Sequence, residues 1–168
     1  MKNISLIGMM GSGKSTIGNL LSQLLSSYKF IDTDECIVTN QKMSINDIFD
    51  LKGEEYFRNI ETSILKEVLS SNNQIVSTGG GIILKEENRT LLKQNSIVIY
   101  LQASSDVLFE RVKNNKDRPL LNVSDMKKKI ECLLDKREAL YRDCSDFIIV
   151  TENKTVEEII VEIEGIVK

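Results

Sequence analysis

A short apolar run, Ile4–Ile7, leads into Gly8-Met9-Met10-Gly11-Ser12-Gly13-Lys14-Ser15, and a helical stripe of Ile17, Leu20, Leu21, Leu24 and Leu25 follows at once. The spacing fits G-x-x-x-x-G-K-[ST], here in the strand-to-helix setting that this motif requires. Glycines let the backbone curl so that successive N–H groups face one anion, and the helix behind adds its positive N-terminal end. Lys14 is expected to reach the β- and γ-phosphates of a nucleotide, and Ser15 to offer an oxygen to Mg²⁺. A strand that feeds such a loop must be buried, with its helix folded back over it.

The rest of the 168-residue chain keeps to that plan. Phe30–Ile31, Ile75–Val76, Ile97–Leu101 and Phe147–Val150 are further short runs rich in Ile, Val, Leu or Phe, without clean polar alternation. Such runs indicate strands covered on both faces, as in a parallel sheet. Helical patterns lie between them. One spans Leu51 to Leu69 with Phe57, Ile60, Ile64, Leu65 and Val68. Another carries Met126, Ile130, Leu133, Leu134 and Tyr141. A last one opens at a capping box, Thr155 with Glu158, and runs through Ile159, Ile160 and Ile163. The alternation predicts one three-layer α/β domain over residues 1–168.

Composition removes several chemistries. The net charge is −3, which gives no support to nucleic-acid binding. There is no histidine, so an imidazole base, a histidine metal ligand and a Ser-His-Asp triad are all excluded. The work must fall to carboxylates, Lys, Arg, backbone N–H groups and a metal ion. Cys36, Cys132 and Cys144 are odd in number and lack C-x-x-C spacing, and read as reduced thiols. No apolar run approaches a membrane span, and the N-terminal one is too short for a secretory signal. A soluble, cytoplasmic protein is expected.

Several polar groups stand where ligands bind in such sheets. Asp32-Thr33-Asp34 ends the second strand, at the carboxyl edge of the sheet. Its carboxylates either divide between a metal ion and a substrate hydroxyl, or Asp34 caps a helix starting at Glu35-Cys36-Ile37. The third strand lacks the terminal Asp common in phosphate-loop proteins, which leaves Asp32 as the carboxylate near the metal. Thr78-Gly79-Gly80-Gly81 follows that strand; a sharp strand-to-helix turn would need only one or two glycines, and three ordered in succession point to a ligand pressed against bare backbone. Arg137 falls on the apolar stripe that ends at Tyr141 and needs an inward partner. Arg58 and Glu61 are spaced to pair on one helix. The polar segment Asn114–Asp125, with Arg118 beside the single proline Pro119, is either a surface loop or a mobile lid.

Taken together these motifs resemble the shikimate kinase family. The phosphate loop, Asp32-x-Asp34, Phe57-Arg58-x-x-Glu61, Gly79–Gly81, Arg118-Pro119-Leu120-Leu121 and Arg137-x-x-Leu140-Tyr141 stand in the family's order over nearly the whole chain. The resemblance implies a P-loop NTPase fold of the nucleoside-monophosphate-kinase type: a five-stranded parallel sheet flanked by helices, a helical substrate-binding region at about 33–61, and a mobile lid at about 112–124. It implies a monomer that transfers the γ-phosphoryl of ATP to the 3-hydroxyl of shikimate with Mg²⁺, on the route to chorismate and the aromatic amino acids. By that resemblance Gly11, Ser12, Gly13, Lys14, Ser15, Thr16, Arg111 and Arg118 bind ATP, and Ser15 and Asp32 hold the metal. Asp34, Arg58, Gly79, Gly80, Gly81 and Arg137 bind shikimate, and Lys14, Asp34 and Arg118 act in catalysis.

Two positions depart from the family pattern. Ala139 stands where a proline often follows the arginine equivalent to Arg137, so the helix is expected to continue towards Tyr141. Thr151–Lys154 lacks the Arg or Pro often found in the adenine loop. Two other readings compete: a gluconate or nucleoside monophosphate kinase of the same fold, and a non-catalytic nucleotide-binding module.

Overall fold

The computed structural model describes residues 2–113 and 125–167. Five strands, β1 (Asn3–Ile7), β2 (Lys29–Asp32), β3 (Gln74–Ser77), β4 (Ser96–Gln102) and β5 (Phe147–Val150), form one parallel sheet in the order β2-β3-β1-β4-β5. The sequence places all five to within one residue at each end. Helices α1 (Lys14–Leu24), α2 (Thr33–Gln41), α3 (Ile45–Leu69), α4 (Glu86–Asn95), α5 (Ser105–Val112), α6 (Met126–Cys144) and α7 (Val156–Val167) cover it.

Strand residues alternate between two cores. In β4, Val98 and Tyr100 join the larger core under α2 to α6, whereas Ile99 and Leu101 join the smaller one under α1 and α7. Ile4 and Leu6 of β1 face the smaller core and Ile7 the larger. Because β1 to β4 have apolar partners on both faces, their runs have no reason to alternate with polar residues. Strand β5, at the edge of the sheet, buries only Ile149 and leaves Phe147, Ile148 and Val150 exposed, contrary to the expected cover on both faces.

Helix α1 departs from its apolar stripe. Ile17 and Leu21 are buried, but Leu20 and Leu24 are exposed. The contact face runs instead through Gly18, which has no side chain to hold the Phe30 ring away from the helix backbone. Helix α3 starts at Ile45, earlier than the stripe from Leu51 suggests, and is two helical pieces joined at Gly53 (φ 84°, ψ 168°). A side chain is strained in that conformation, so the break falls on the glycine.

Helices α2 and α4 carry no long apolar stripe: each sends one fully buried residue into the larger core, Ile37 and Leu92, and polar contacts add to that hold. The N-cap of α2 is Asp32 rather than Asp34: Asp32 Oδ1 accepts from the Asp34 N–H at 2.9 Å. In α4, Asn88 donates to the Ile82 carbonyl at 3.0 Å and Arg89 to that of Ile83 at 2.7 Å. Helix α6 runs unbroken past Ala139 to Cys144, as the absent proline predicts. The capping box of α7 forms in both directions, Thr155 N–H to Glu158 Oε2 at 2.7 Å and Glu158 N–H to Thr155 Oγ1 at 3.2 Å.

The chain crosses from β3 to β4 over β1, so the carboxyl ends of β1, β2 and β3 open onto one crevice at a switch in strand order. The phosphate loop, Asp32-Thr33-Asp34 and Thr78–Gly81 all leave the sheet there. Among the described residues no helix is long and apolar enough to cross a membrane.

Candidate active site

The phosphate loop curls through Gly11 (φ 81°) and Gly13 (φ 97°), left-handed conformations that a side chain would strain. Gly13 is the N-cap of α1, so the helix opens on bare backbone with no side chain over its first N–H groups. Lys14 is buried inside the curl, where Nζ donates to the Gly8 and Met9 carbonyls, both at 2.9 Å. Ser15 Oγ donates to Asp32 Oδ2 at 2.7 Å and lies 3.1 Å from Ser77 Oγ. Two hydroxyls and one carboxylate thus meet at the ends of α1, β2 and β3. The serine at the end of β3 was not foreseen, and it stands where the missing Asp would be.

Asp34 enters from the first turn of α2. A Cβ placed on Gly79 would lie 2.8 Å from Asp34 Oδ1 and 2.9 Å from Glu61 Oε1. A Cβ on Gly81 would fall on the Arg58 guanidinium, whereas one on Gly80 would find only ordinary contacts, at 3.4 Å and beyond. The expected close approach to the triple glycine is therefore made in part by the protein's own charged side chains. None of the three has a positive φ, so space and not conformation demands glycine at 79 and 81.

Arg58 and Glu61 pair at 2.8 Å, and both are buried. Arg58 also contacts Glu54 Oε1, through Nε at 3.3 Å and Nη2 at 3.2 Å. Glu54 lacked any sequence signal beyond helical spacing. Burial pushes the Glu61 carboxyl above the usual range, Arg58 draws it back, and the nearby Asp34 charge pushes it up again. Glu61 is thus held in place by its guanidinium.

Arg137, buried on α6, points Nη1 at the Gly80 carbonyl at 3.4 Å and at Met9 Sδ at 3.9 Å. The Tyr141 hydroxyl donates to that same carbonyl, and its ring stacks on Tyr100 with centroids 4.9 Å apart. Two donors on one carbonyl fix the orientation of the Gly80 peptide. The Gly79 N–H is turned to Thr33 Oγ1 at 3.2 Å.

On the far side of the loop, Arg111 donates to Thr151 Oγ1 at 3.1 Å, to the Thr151 carbonyl at 3.2 Å and to the Gly11 carbonyl at 3.3 Å. These groups border a cavity of about 180 Å³ lined also by Thr16 and Lys154. The 151–154 segment, which departs from the family pattern, here anchors Arg111. Arg118 and most of the proposed lid lie outside the described residues.

A family model described as shikimate kinase matches residues 10–167. A shikimate kinase from Dehalococcoides mccartyi is 41% identical over 162 residues, covering 96% of this chain and 91% of its own. The chain belongs to the shikimate kinase family. Its reaction is the family's, ATP-dependent phosphorylation of shikimate, which sets aside the gluconate, nucleoside monophosphate and non-catalytic readings. A solved shikimate kinase from Acinetobacter baumannii, in complex with shikimate, superposes with a TM-score of 0.95 at 36% identity, covering 99% of this chain and 93% of that one. A deoxyadenosine kinase from M. mycoides shares the fold alone, at 19% identity and a TM-score of 0.63, covering 97% and 96% of the two chains.

Proposed function

We propose that this shikimate kinase moves the γ-phosphoryl of ATP onto the 3-hydroxyl of shikimate in the crevice between the phosphate loop and the Gly79–Gly81 turn. The observation that carries the reading is the convergence on that turn of one carboxylate from α2, Asp34, and two guanidinium groups, Arg58 from α3 and Arg137 from α6. Arg58 and Arg137 hold the substrate carboxylate, and the Gly80 and Gly81 N–H groups meet the ring oxygens. Asp34 orients the attacking hydroxyl and takes its proton as the oxygen–phosphorus bond forms and the bond to ADP breaks. Phosphoryl transfer of this kind needs positioning and charge neutralisation, so the absence of histidine costs nothing.

Lys14 and the loop N–H groups receive the phosphates, while Arg111 and the cavity beside Thr151 receive the nucleoside. Ser15 and Asp32 offer a hydroxyl and a carboxylate oxygen, a hard donor set suited to Mg²⁺ that keeps part of its water shell. Charge neutralisation at the phosphates is what that ion supplies when bound. The region at about 33–61 contributes Asp34, Arg58 and Glu61, and a single copy of the chain supplies every one of these groups. We place the enzyme in the cytoplasm, a reading that its three free thiols support, and take it to act as a monomer.

The test is ADP release by the purified protein with Mg-ATP and, in turn, shikimate, gluconate, AMP or no acceptor. ADP formation with shikimate alone is expected. Turnover with another acceptor in its place would overturn the assignment of Arg58 and Arg137.

A further inference from the structure

A guanidinium presents five N–H donors in a planar fork, and the Nε–Nη2 edge is one of its two bidentate edges for a carboxylate. In Arg58 that edge is taken by a single oxygen, Glu54 Oε1, while Glu61 Oε2 holds Nη1 at 2.8 Å. The two acids differ sharply in setting. The Glu61 side chain is 0% exposed and that of Glu54 58% exposed. Glu54 is also the first residue after the break at Gly53, where a Cβ would find nothing within 4 Å, so it has open space beside it.

Charge makes the arrangement unequal in the same sense. In the ligand-free site the guanidiniums of Arg58 and Arg137 face the carboxylates of Glu54, Glu61 and Asp34. Among these described residues a substrate carboxylate would be a fourth anion unless one of the three left. Glu61 is walled in and Asp34 belongs to the chemistry. Only Glu54 has water to move into.

We propose that Glu54 is an internal stand-in for the substrate carboxylate: it occupies the Nε–Nη2 edge of Arg58 in the empty site and is displaced by the incoming acid. The inference rests on Arg58 holding that carboxylate. A pair whose acid is exposed and which is made through one acceptor oxygen is weak, and a ligand carboxylate gripping both nitrogens replaces it with a better-matched contact. Until then Glu54 keeps the fork extended and its charge countered. Apparent affinity falls by the fraction of Arg58 that is open, so a clasp closed half to four-fifths of the time weakens binding about two- to fivefold. A neutral analogue has no charge to exchange for that of Glu54, which turns the clasp into a selector for acids.

The experiment is calorimetric titration of the full chain with shikimate and with its neutral methyl ester, for wild type, Glu54→Gln, Glu54→Ala and Arg58→Gln. Both Glu54 variants are expected to bind shikimate about two- to fivefold tighter, with ester and ADP affinities unchanged. A thermal melt of each variant confirms folding. Unchanged or weaker shikimate binding in both Glu54 variants, alongside a large loss in Arg58→Gln, overturns the stand-in alone; weaker binding would make Glu54 a support for Arg58. Equal tightening of the ester also overturns it. Undiminished binding by folded Arg58→Gln overturns the assignment of Arg58, and the stand-in with it.

Discussion

Ser15 Oγ donates to Asp32 Oδ2 at 2.7 Å while Asp32 Oδ1 accepts from the Asp34 N–H at 2.9 Å, so one carboxylate ties the phosphate loop to the cap of α2. The group proposed to sit by the metal also fixes the backbone of the group proposed to act on the substrate. The two duties separate by mutation. Asp32→Asn keeps a competent cap, because Asn and Asp are comparable N-caps, but loses the charge. It should raise the Mg²⁺ concentration for half-maximal activity and leave the melting temperature within a degree or so. Asp32→Ala should also lose the cap, about 1 kcal/mol, or roughly 2–4 °C for a chain of this size. A Mg²⁺ titration and a thermal melt of both variants check the split, and equal melting temperatures would deny the cap its role.

Asp34→Asn should leave ATP binding intact and lower turnover by roughly 10²–10⁴, the range for loss of a positioned proton acceptor. Steady-state kinetics with a parallel nucleotide titration check it. Near-normal turnover would remove Asp34 from the chemistry.

Arg137→Ala should raise the KM for shikimate far more than that for ATP, since its guanidinium faces the Gly80 carbonyl rather than the Arg111 cavity. Bisubstrate kinetics decide, and equal effects on both constants would make Arg137 structural or shared.

The three glycines should respond unequally to alanine. Gly79→Ala sets a methyl group against Asp34 and Glu61, and Gly81→Ala sets one against the Arg58 guanidinium. Both should lose at least tenfold in kcat/KM for shikimate, about 1.4 kcal/mol in transition-state binding. Gly80→Ala meets only ordinary contacts and should lose less. Kinetics of the three variants rank them, and a different order would overturn the steric account.

Thiol reactivity should follow burial. Burial pushes Cys144 up to about 11, and Cys36 is raised by burial and then by Asp32, Glu35 and Glu67, whereas Cys132 is exposed. A raised pKa means less thiolate at a given pH, so alkylation at pH 8 should label Cys132 first, Cys36 slowly and Cys144 only on unfolding. Peptide mass spectrometry over a pH series reads the order directly, and early labelling of Cys144 would contradict its burial.

What was legible in the sequence was whatever is local. The phosphate loop is a run of eight contiguous residues, and its glycines are visible as letters. The Thr155–Glu158 capping box closes within one turn, and β1 to β4 show as apolar runs because both their faces are covered. The Arg58–Glu61 pair was equally visible, since helical spacing alone brings the two together.

Only the tertiary structure decided how the site is assembled. Helix α2 has no apolar stripe to announce it, and its cap residue Asp32 meets through its other oxygen a serine from a different element. The need for glycine at 79 and 81 comes from side chains on α2 and α3. The Gly80 peptide is oriented by Arg137 and Tyr141 of α6. Each of these contacts joins residues distant in the chain, over distances that exist only once the helices have packed on the sheet.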